Sequence, residues 1–247
     1  NLFWRSFTHW IGGMGVLVFI LALLPIKAGG AGMYIMRAES PGPRVRKLVP
    51  KIKTTAMILY AIYFGMTVLQ IILMLLAGTP LFDAMVLSFG SAGTGGFAIK
   101  NDGLASYTNL QQAIVTVAMI LFGVNFNFYY LLLRRKPRQA LACTEVWAYL
   151  GIIAASILVI TIQVLPRFET VYQAFHHTAF QVSSIITTTG YSTADFNEWN
   201  ALSKTILVLI MFVGACAGST GGGIKVSRII ILLKGVRKEV MRVCHPR

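Results

Sequence analysis

Long apolar runs are the feature of this sequence that most restricts its fold. They cover residues 7–26, 54–77, 110–133, 145–165 and 202–233. An apolar helix of about 20 residues is long enough to cross a bilayer. Only 12% of the residues are charged, whereas a soluble domain has about 25%, so too few charges remain to cover a water-facing surface. The sequence therefore predicts an all-α membrane protein rather than a soluble enzyme.

Basic residues lie between these runs and account for the formal net charge of +14. They form a first cluster at Arg37, Arg44, Arg46, Lys47, Lys51 and Lys53, a second at Arg134, Arg135, Lys136 and Arg138, and a tail with Lys234, Arg237, Lys238, Arg242 and Arg247. Because cytoplasmic loops of membrane proteins are enriched in Lys and Arg, topology explains this charge better than nucleic-acid binding does. We therefore expect no nucleic-acid partner.

Two further apolar segments are too short to cross a bilayer, and each leads into a loop of glycine and threonine. Residues 80–91 precede the sequence GTGGF at residues 93–97, and residues 170–184 precede ITTTGY at residues 186–191. Each short segment lies between two long runs, so the order long, short, loop, long occurs twice. Irregular backbone at membrane depth survives only where it lines water or is buried in protein. The repetition predicts two re-entrant loops that line a pore or a substrate cavity.

The distribution of charge favours re-entrant over crossing segments. If both short segments turn back, all three basic clusters fall on one side of the membrane. The other side then carries nearly balanced charge, from Lys100, Asp102, Arg167, Glu169, Asp195, Glu198 and Lys204. If the short segments crossed instead, the basic clusters would be divided between the two faces. The positive-inside bias thus supports re-entrant loops and puts the basic side in the cytoplasm.

The two loops have the composition of a cation filter, in which backbone carbonyls replace the water shell of the ion. The candidate residues are Thr94, Gly95, Gly96, Phe97, Thr188, Thr189, Gly190 and Tyr191. Glycine tolerates the backbone angles that turn successive carbonyls inward, threonine can add a hydroxyl ligand, and the aromatic residue can pack behind the loop. The partial negative charge at the C-terminus of each short helix would favour a cation. The alternative for either loop is an ordinary turn at a helix end, and the matched pair favours the filter.

A second glycine-rich segment interrupts the last apolar run. It comprises Gly218, Ser219, Thr220, Gly221, Gly222 and Gly223, followed by Ile224 and Lys225. A phosphate-binding P-loop requires Gly-Lys-Ser/Thr, but Ile224 separates Gly223 from Lys225, which argues against that motif. Interrupted helices mark transport sites, so we predict a broken helix beneath a pore. Lys225 either has a functional partner at membrane depth or extends its ammonium towards the cytoplasm.

The remaining reactive side chains form no catalytic or metal-binding pattern. Cys143, Cys216 and Cys244 have neither CxxC nor metal-ligand spacing. His9, His176 and His177 lie near apolar helices, where helix-end or interfacial roles are more common than metal binding. No Ser/His/Asp or paired-carboxylate arrangement accompanies them. The sequence thus predicts a protein that is not an enzyme and has no cofactor.

In this order the motifs resemble the Trk/Ktr/HKT superfamily of cation transporters, and within it the TrkH/TrkG membrane subunits of bacterial potassium uptake systems. The resemblance covers essentially the whole chain. It rests on WIGGMG at residues 10–15, RAESPGP at 37–43, the loop ending TGGF at 94–97, IITTTGY at 185–191 and AGSTGGGIK at 217–225.

The resemblance implies four tandem units of helix, pore loop and helix around one potassium-channel-like pore with pseudo-fourfold symmetry. Gly96 and Gly190 would be the filter glycines of the second and third units, and residues 218–225 would form the loop that gates the pore below the filter. The ligands of K⁺, which is the substrate, would come from Thr94, Gly95, Thr188 and Thr189. The resemblance also implies a multi-pass homodimer in the lipid of the bacterial inner membrane. Its partner would be a cytoplasmic nucleotide-binding regulatory subunit of the TrkA type.

Only part of that four-unit fold is expected in this sequence. Residues 1–26 correspond to the last helix of the first unit, 27–53 to a basic cytoplasmic loop, 54–138 to the second unit, and 139–247 to the third unit with the gate loop and the basic tail. We therefore expect either a fragment of a longer protein or two chains that combine to complete one pore.

Two alternatives to potassium uptake remain open at this point. In this superfamily a serine in place of the glycine of the first filter loop goes with sodium transport, and the first loop is not in this sequence. Sodium or mixed monovalent cation transport is therefore one alternative. A non-conducting membrane scaffold that docks partners through its basic loops is the other.

Overall fold

The computed structural model describes residues 1–13, 15 and 52–244, with the side chains of residues 52–55 and 243–244 outside that description. These residues form helices and no β-strand. The helices are α1 (Leu2–Gly13), α2 (Ile52–Leu76), α3 (Leu81–Ala92), α4 (Asn109–Phe122), α5 (Phe126–Leu133), α6 (Pro137–Leu141), α7 (Thr144–Val164), α8 (Val171–Ile186), α9 (Ala201–Val213) and α10 (Val226–Cys244). The later part of the first apolar run, the motif at residues 37–43, most of the basic loop at 27–53 and Arg247 lie outside the described residues.

A long helix followed by a short one occurs twice, as the sequence predicts. Helix α2 has 25 residues and is followed by the 12-residue α3. Helix α7 has 21 residues and is followed by the 16-residue α8. Each of these four helices begins and ends within about two residues of the predicted segment. Within the described residues, two helices are long and apolar enough to cross a membrane, or three if α4 and α5 count as one broken span.

Side-chain caps explain where two of these helices begin. Thr108 and Gln111 form a reciprocal capping box at the start of α4, in which each side chain accepts a hydrogen bond from the backbone N–H of the other residue. The Thr170 hydroxyl accepts a hydrogen bond from the Gln173 N–H, 3.2 Å away, at the start of α8. Such caps satisfy N–H groups that have no partner within the helix.

The predicted span over residues 110–133 is not one continuous helix. Helices α4 and α5 meet at an 88° bend. A side chain at Gly123, the residue that ends α4, would collide with the Tyr149 hydroxyl of α7. Asn125 then starts α5 by accepting a hydrogen bond from the Asn127 N–H at 2.9 Å. The bend therefore frees the last carbonyls of α4 for partners outside the helix.

The interruption of the last apolar run is longer than its glycine run. Helix α9 ends at Val213, Gly214 has φ +71°, and α10 begins only at Val226. A side chain at Gly214 would collide with the Gly222 carbonyl. The 13-residue α9 is consequently too short to span a membrane by itself.

Buried side chains join the two repeated parts into one core. Tyr191, which follows the second loop, is buried in a cluster with Leu87 of α3 and Phe180 of α8. The His176 Nε2 of α8 lies 2.7 Å from the Gln112 Oε1 of α4. Close packing of this kind fixes the relative positions of the loops that follow α3 and α8.

Candidate functional site

The first Gly/Thr loop, residues 94–97, begins with a Schellman motif at the C-terminus of α3. The Gly95 N–H donates to the Gly90 carbonyl at 2.8 Å, and the Thr94 N–H donates to the Ser91 carbonyl at 3.3 Å. Thr94 has φ +54°. These two bonds and the left-handed residue between them are the defining features of that motif. The helix end and the start of the loop are therefore one rigid turn.

The second Gly/Thr loop, residues 188–191, leaves α8 with the same geometry. The Thr189 N–H donates to the Ser184 carbonyl at 2.9 Å, and the Thr188 N–H donates to the Ile185 carbonyl at 3.0 Å. Thr188 has φ +61°. Two loops with the same backbone bonds in equivalent positions confirm the repetition that the sequence indicates.

Threonine occupies a position in both motifs where glycine is the usual residue. A left-handed conformation costs an L-residue about 1–2 kcal/mol because Cβ approaches the following carbonyl oxygen. From the sequence, left-handed backbone angles are expected only at the glycines of the two loops. Thr94 and Thr188 have them as well, so the two loops contain local strain of the kind that clusters at functional sites.

Gly96 and Gly190 follow the strained threonines and also have positive φ, +65° and +91°. A Cβ at Gly96 would collide with the Thr189 carbonyl oxygen and lie 3.0 Å from its carbon. The backbones of the two Gly/Thr loops are therefore in direct contact at this point. Only glycine combines this left-handed conformation with so close an approach.

The aromatic residues that end the two loops pack in different ways. Tyr191 is 1% exposed, and its hydroxyl donates to the Leu87 carbonyl of α3 at 3.2 Å. Phe97 lies beneath the Arg5 guanidinium, whose central carbon is 3.9 Å from the ring centroid, and contacts the His9 ring at 5.2 Å between centroids. Each aromatic ring thus fixes its loop to an element of another unit.

The glycine-rich loop, residues 218–223, lies on the α4–α5 bend. The Phe126 N–H donates to the Gly218 carbonyl at 2.9 Å, and the Thr220 N–H donates to the Phe122 carbonyl at 3.4 Å. Just before this loop, the Cys216 N–H donates to the Gly123 carbonyl at 3.1 Å. Backbone groups that the bend releases from the helix are thus paired with those of the loop, as buried polar groups require.

Glu145 is a residue of this site that sequence reasoning missed. One carboxylate oxygen accepts from the Ala217 N–H at 2.6 Å, and the other lies 3.4 Å from the Asn125 amide nitrogen. Hydrogen bonds to a carboxylate are shorter and stronger than neutral ones. The signal for it in the sequence is an acidic residue at the start of a long apolar run.

Lys225 closes the other end of the glycine-rich loop. Its side chain is partly buried and its ammonium donates to the Gly221 carbonyl. Of the two sequence-based interpretations, this contact favours a partner within the protein over extension of the ammonium towards the cytoplasm. The loop is therefore held by one charged side chain at each end.

A cavity of about 540 Å³ is bordered by the two Gly/Thr loops, the glycine-rich loop and α1. It is lined by Thr8, His9, Gly12, Gly13, Gly93, Thr94, Thr188, Thr220 and Gly222. Helices α3 and α8 both end at this cavity, and a helix C-terminus has a partial negative charge. The arrangement has the sign that favours a cation and supplies oxygen atoms that suit hard monovalent cations.

His9, His176 and His177 each take part in a hydrogen bond. His9 Nδ1 lies 3.1 Å from the Gly93 carbonyl oxygen, and His177 Nδ1 lies 3.0 Å from the Thr193 hydroxyl. Among residues 1–13, 15 and 52–244, no three His, Cys, Asp or Glu side chains lie close enough to hold a metal ion together.

Comparison with known proteins gives consistent matches over the whole chain. The TrkH family model, described as a cation transport protein, matches residues 1–166 and 146–247. The Trk system potassium uptake protein TrkH of Halomonas elongata is 35% identical over 250 residues, which cover 99% of this chain and 52% of that protein. The Trk system potassium uptake protein TrkG of Escherichia coli is 32% identical and covers 100% of this chain and 51% of its own length.

A solved structure has the same fold. The crystal structure of the potassium transporter TrkH from Vibrio parahaemolyticus superposes with a TM-score of 0.82 at 31% identity, over 100% of this chain and 50% of that chain. The chain spans about half the length of the curated relatives it matches. The resemblance inferred from the sequence motifs is thus confirmed, and the chain belongs to the TrkH family of cation transport proteins.

Proposed function

We propose that this chain forms part of a potassium uptake protein and that the ion passes between its two Gly/Thr loops. The observation that carries the proposal is the convergence of two helix C-termini, each ending in the same left-handed turn, on one cavity. Relatives at 32–35% identity are named potassium uptake proteins, which supports K⁺ as the substrate. The bacterial inner membrane is the proposed location.

The proposed filter uses backbone carbonyl oxygens to replace the water shell of K⁺. The ligands would come from Thr94, Gly95, Thr188 and Thr189. The close approach of Gly96 to the Thr189 carbonyl supports a shared ion path, because it makes the two loops adjacent. Two loops cover only part of an ion's shell, so the proposal requires further ligands from the rest of the assembled transporter.

The glycine-rich loop is proposed to gate this path. It lines the same cavity as the two Gly/Thr loops, through Thr220 and Gly222. A Cβ on Gly221 would lie 3.0 Å from the Thr187 carbonyl oxygen, so the loop is in contact with the end of α8. An ion that leaves the Gly/Thr loops on this side would meet the loop first.

The test is potassium flux through the full-length protein in liposomes. Gly96→Ala introduces a Cβ that collides with the neighbouring loop in a conformation that costs about 1–2 kcal/mol, so we expect flux to fall at least about tenfold. Gly190→Ala has the same conformational cost without the collision. Gly151→Ala in α7 is the control, because its Cβ meets nothing within 4 Å. Wild-type flux in both filter variants would overturn the proposal.

The same liposomes separate the competing functions. Flux of K⁺ but not of Na⁺ supports potassium uptake, whereas equal flux of both ions supports a mixed monovalent cation transporter. A full-length protein that conducts neither ion would support a membrane scaffold.

We also propose that the full-length protein works as a homodimer with a cytoplasmic nucleotide-binding subunit of the TrkA type. Relatives named as parts of a Trk system support an assembly of several subunits. A basic surface for that contact is offered by the exposed Arg134, Arg135 and Lys136 between α5 and α6, together with Arg138 in α6. Native mass spectrometry of the purified protein, alone and with the subunit, measures both stoichiometries. A monomer that binds no such subunit would refute this proposal.

A further inference from the structure

Two hydroxyl groups connect the Gly/Thr loops to the glycine-rich loop. The Thr94 Oγ1 lies 3.1 Å from the Thr220 carbonyl oxygen, to which it donates. The Thr188 Oγ1 accepts a hydrogen bond from the Gly222 N–H at 2.7 Å. These are side-chain contacts from equivalent positions of the two repeated loops to residues two apart in the same loop.

We propose that the hydroxyls of Thr94 and Thr188 form a latch that holds residues 220–222 against the Gly/Thr loops and keeps the ion path closed. This inference rests on the proposed potassium conduction. The carbonyl oxygens of the Gly/Thr loops remain available as ion ligands, and the threonine hydroxyls have a separate task in gating.

The left-handed conformation of both threonines supports this role. Glycine is the residue that a Schellman motif favours at this position, and a branched side chain there is strained. A strained threonine in both loops is explained if the hydroxyl itself is required. The conformation aims each hydroxyl at the backbone of the glycine-rich loop.

The hydrogen atoms of these hydroxyls support the same conclusion. A hydroxyl donates one hydrogen bond and accepts up to two. The Thr188 hydroxyl donates to the Thr187 carbonyl at 2.6 Å, which leaves its oxygen free to accept from Gly222. The Thr94 proton lies between two carbonyl acceptors, Gly93 at 2.7 Å and Thr220 at 3.1 Å. The Thr94 hydroxyl therefore keeps a local partner when the loop moves away, whereas the Gly222 N–H loses its acceptor and needs a new one.

Two further attachments hold the start of the glycine-rich loop, before residues 220–222. Ala217 is held by Glu145, and Gly218 by Phe126. These contacts can persist while residues 220–222 move, so they act as the fixed end of the loop. Movement of residues 220–222 must break the latch, together with the bonds of Thr220 to Phe122 and of Gly221 to Lys225.

The first experiment measures unstimulated potassium flux through the full-length protein in liposomes without any regulatory subunit. Valine has nearly the shape of threonine but no hydroxyl, so Thr94→Val and Thr188→Val should each raise this flux about tenfold, equivalent to about 1.4 kcal/mol. Thr94→Ser and Thr188→Ser keep the hydroxyl and should raise this flux less than the corresponding valine variants do. Thr205→Val is the control, because its hydroxyl donates only to the Ala201 carbonyl within α9.

The outcomes distinguish the latch from an ion ligand. If the valine variants lower the flux or alter the preference for K⁺ over Na⁺ without raising unstimulated flux, the hydroxyls are ligands and the latch is refuted. A wild-type protein that conducts no K⁺ under any condition would overturn the proposed function itself.

A second experiment tests the contact directly. A Cβ on Gly222 would lie 3.5 Å from the Thr188 Cβ, within the 3.5–4.5 Å range of disulfides. With diamide as the oxidant, the pair Thr188→Cys and Gly222→Cys should form a disulfide detectable by mass spectrometry and stop flux, and dithiothreitol should restore it. Each single variant is the control. A folded double variant that forms no disulfide, or one that conducts equally when oxidised, would overturn the latch.

Discussion

Replacing Glu145 tests whether one carboxylate anchors the glycine-rich loop. In Glu145→Ala the Ala217 N–H loses its acceptor at 2.6 Å, and the Asn125 amide loses its contact at 3.4 Å. Ala217 is 2% exposed, so water does not readily replace the lost acceptor. The variant therefore leaves at least one buried donor without a partner.

The expected loss of stability follows from that geometry. A hydrogen bond to a charged group contributes about 1.5–3 kcal/mol, and an orphaned buried donor costs about 1–3 kcal/mol. These ranges describe the same loss, so we expect Glu145→Ala to lower the free energy of unfolding by about 2–3 kcal/mol. Glu145→Gln keeps an acceptor oxygen without the charge and should lose about half as much.

Unfolding of the full-length protein by SDS in mixed micelles, followed by circular dichroism, measures these differences. Glu239→Ala is the matched control, because Glu239 forms only an exposed ion pair with Arg242 at 3.3 Å. Such pairs contribute about 0.2–1 kcal/mol. If Glu145→Ala costs no more than Glu239→Ala, the carboxylate does not anchor the loop and the reasoning is refuted.

Two further substitutions follow from close contacts at α1 and in the polar segment after the first Gly/Thr loop. In Gly13→Ala the new Cβ would lie 2.8 Å from the Gly93 Cα, so the free energy of unfolding and the potassium flux should both fall. Gly65→Ala is the control, because its new Cβ would have no atom within 4 Å, and it should change neither quantity appreciably. Burial and a 2.8 Å hydrogen bond to Asp83 raise the pKa of Tyr107. The folded state therefore retains the Tyr107 proton, so this stabilisation is complete below the unfolded pKa of about 10 and is lost above it. Tyr107→Phe should accordingly lose less stability than wild type between about pH 9 and about pH 11, and equal losses would contradict the assignment.

The repeated part of this fold could be predicted from local sequence. The short helices α3 and α8 were expected from apolar segments followed by glycine and threonine, and the structure has them at those places. Each helix ends through hydrogen bonds within about six residues of its C-terminus, so the information needed to predict the turn lies in a short stretch of sequence.

The α4–α5 bend could not be predicted in this way. Residues 110–133 contain no charged residue and no proline, so local propensity favours one helix. The bend is stabilised by Tyr149, which excludes a side chain at Gly123, and by N–H groups from residues 216 and 220. Those partners are far away in the sequence, and single-sequence patterns contain no record of such pairings.

The same bend explains why Glu145 was missed. Asn125 precedes Glu145 in the sequence and Ala217 follows it. These two partners come together at the carboxylate because the chain bends between α4 and α5. A carboxylate at a helix start is also favourable in its own right. If α4 and α5 were one straight helix, this favourable interaction with the helix start would be enough to explain an acidic residue at position 145.

The attachment of the glycine-rich loop to the α4–α5 bend has a consequence for how such proteins can be recombined. The loop belongs to the third unit of the predicted fold, but its backbone partners Phe122, Gly123 and Phe126 belong to the second. Tandem units that arose by duplication are often treated as interchangeable modules. A chimera that exchanges the third unit alone would separate the glycine-rich loop from its backbone partners in the second unit. The second and third units should therefore tolerate exchange between relatives only as a pair.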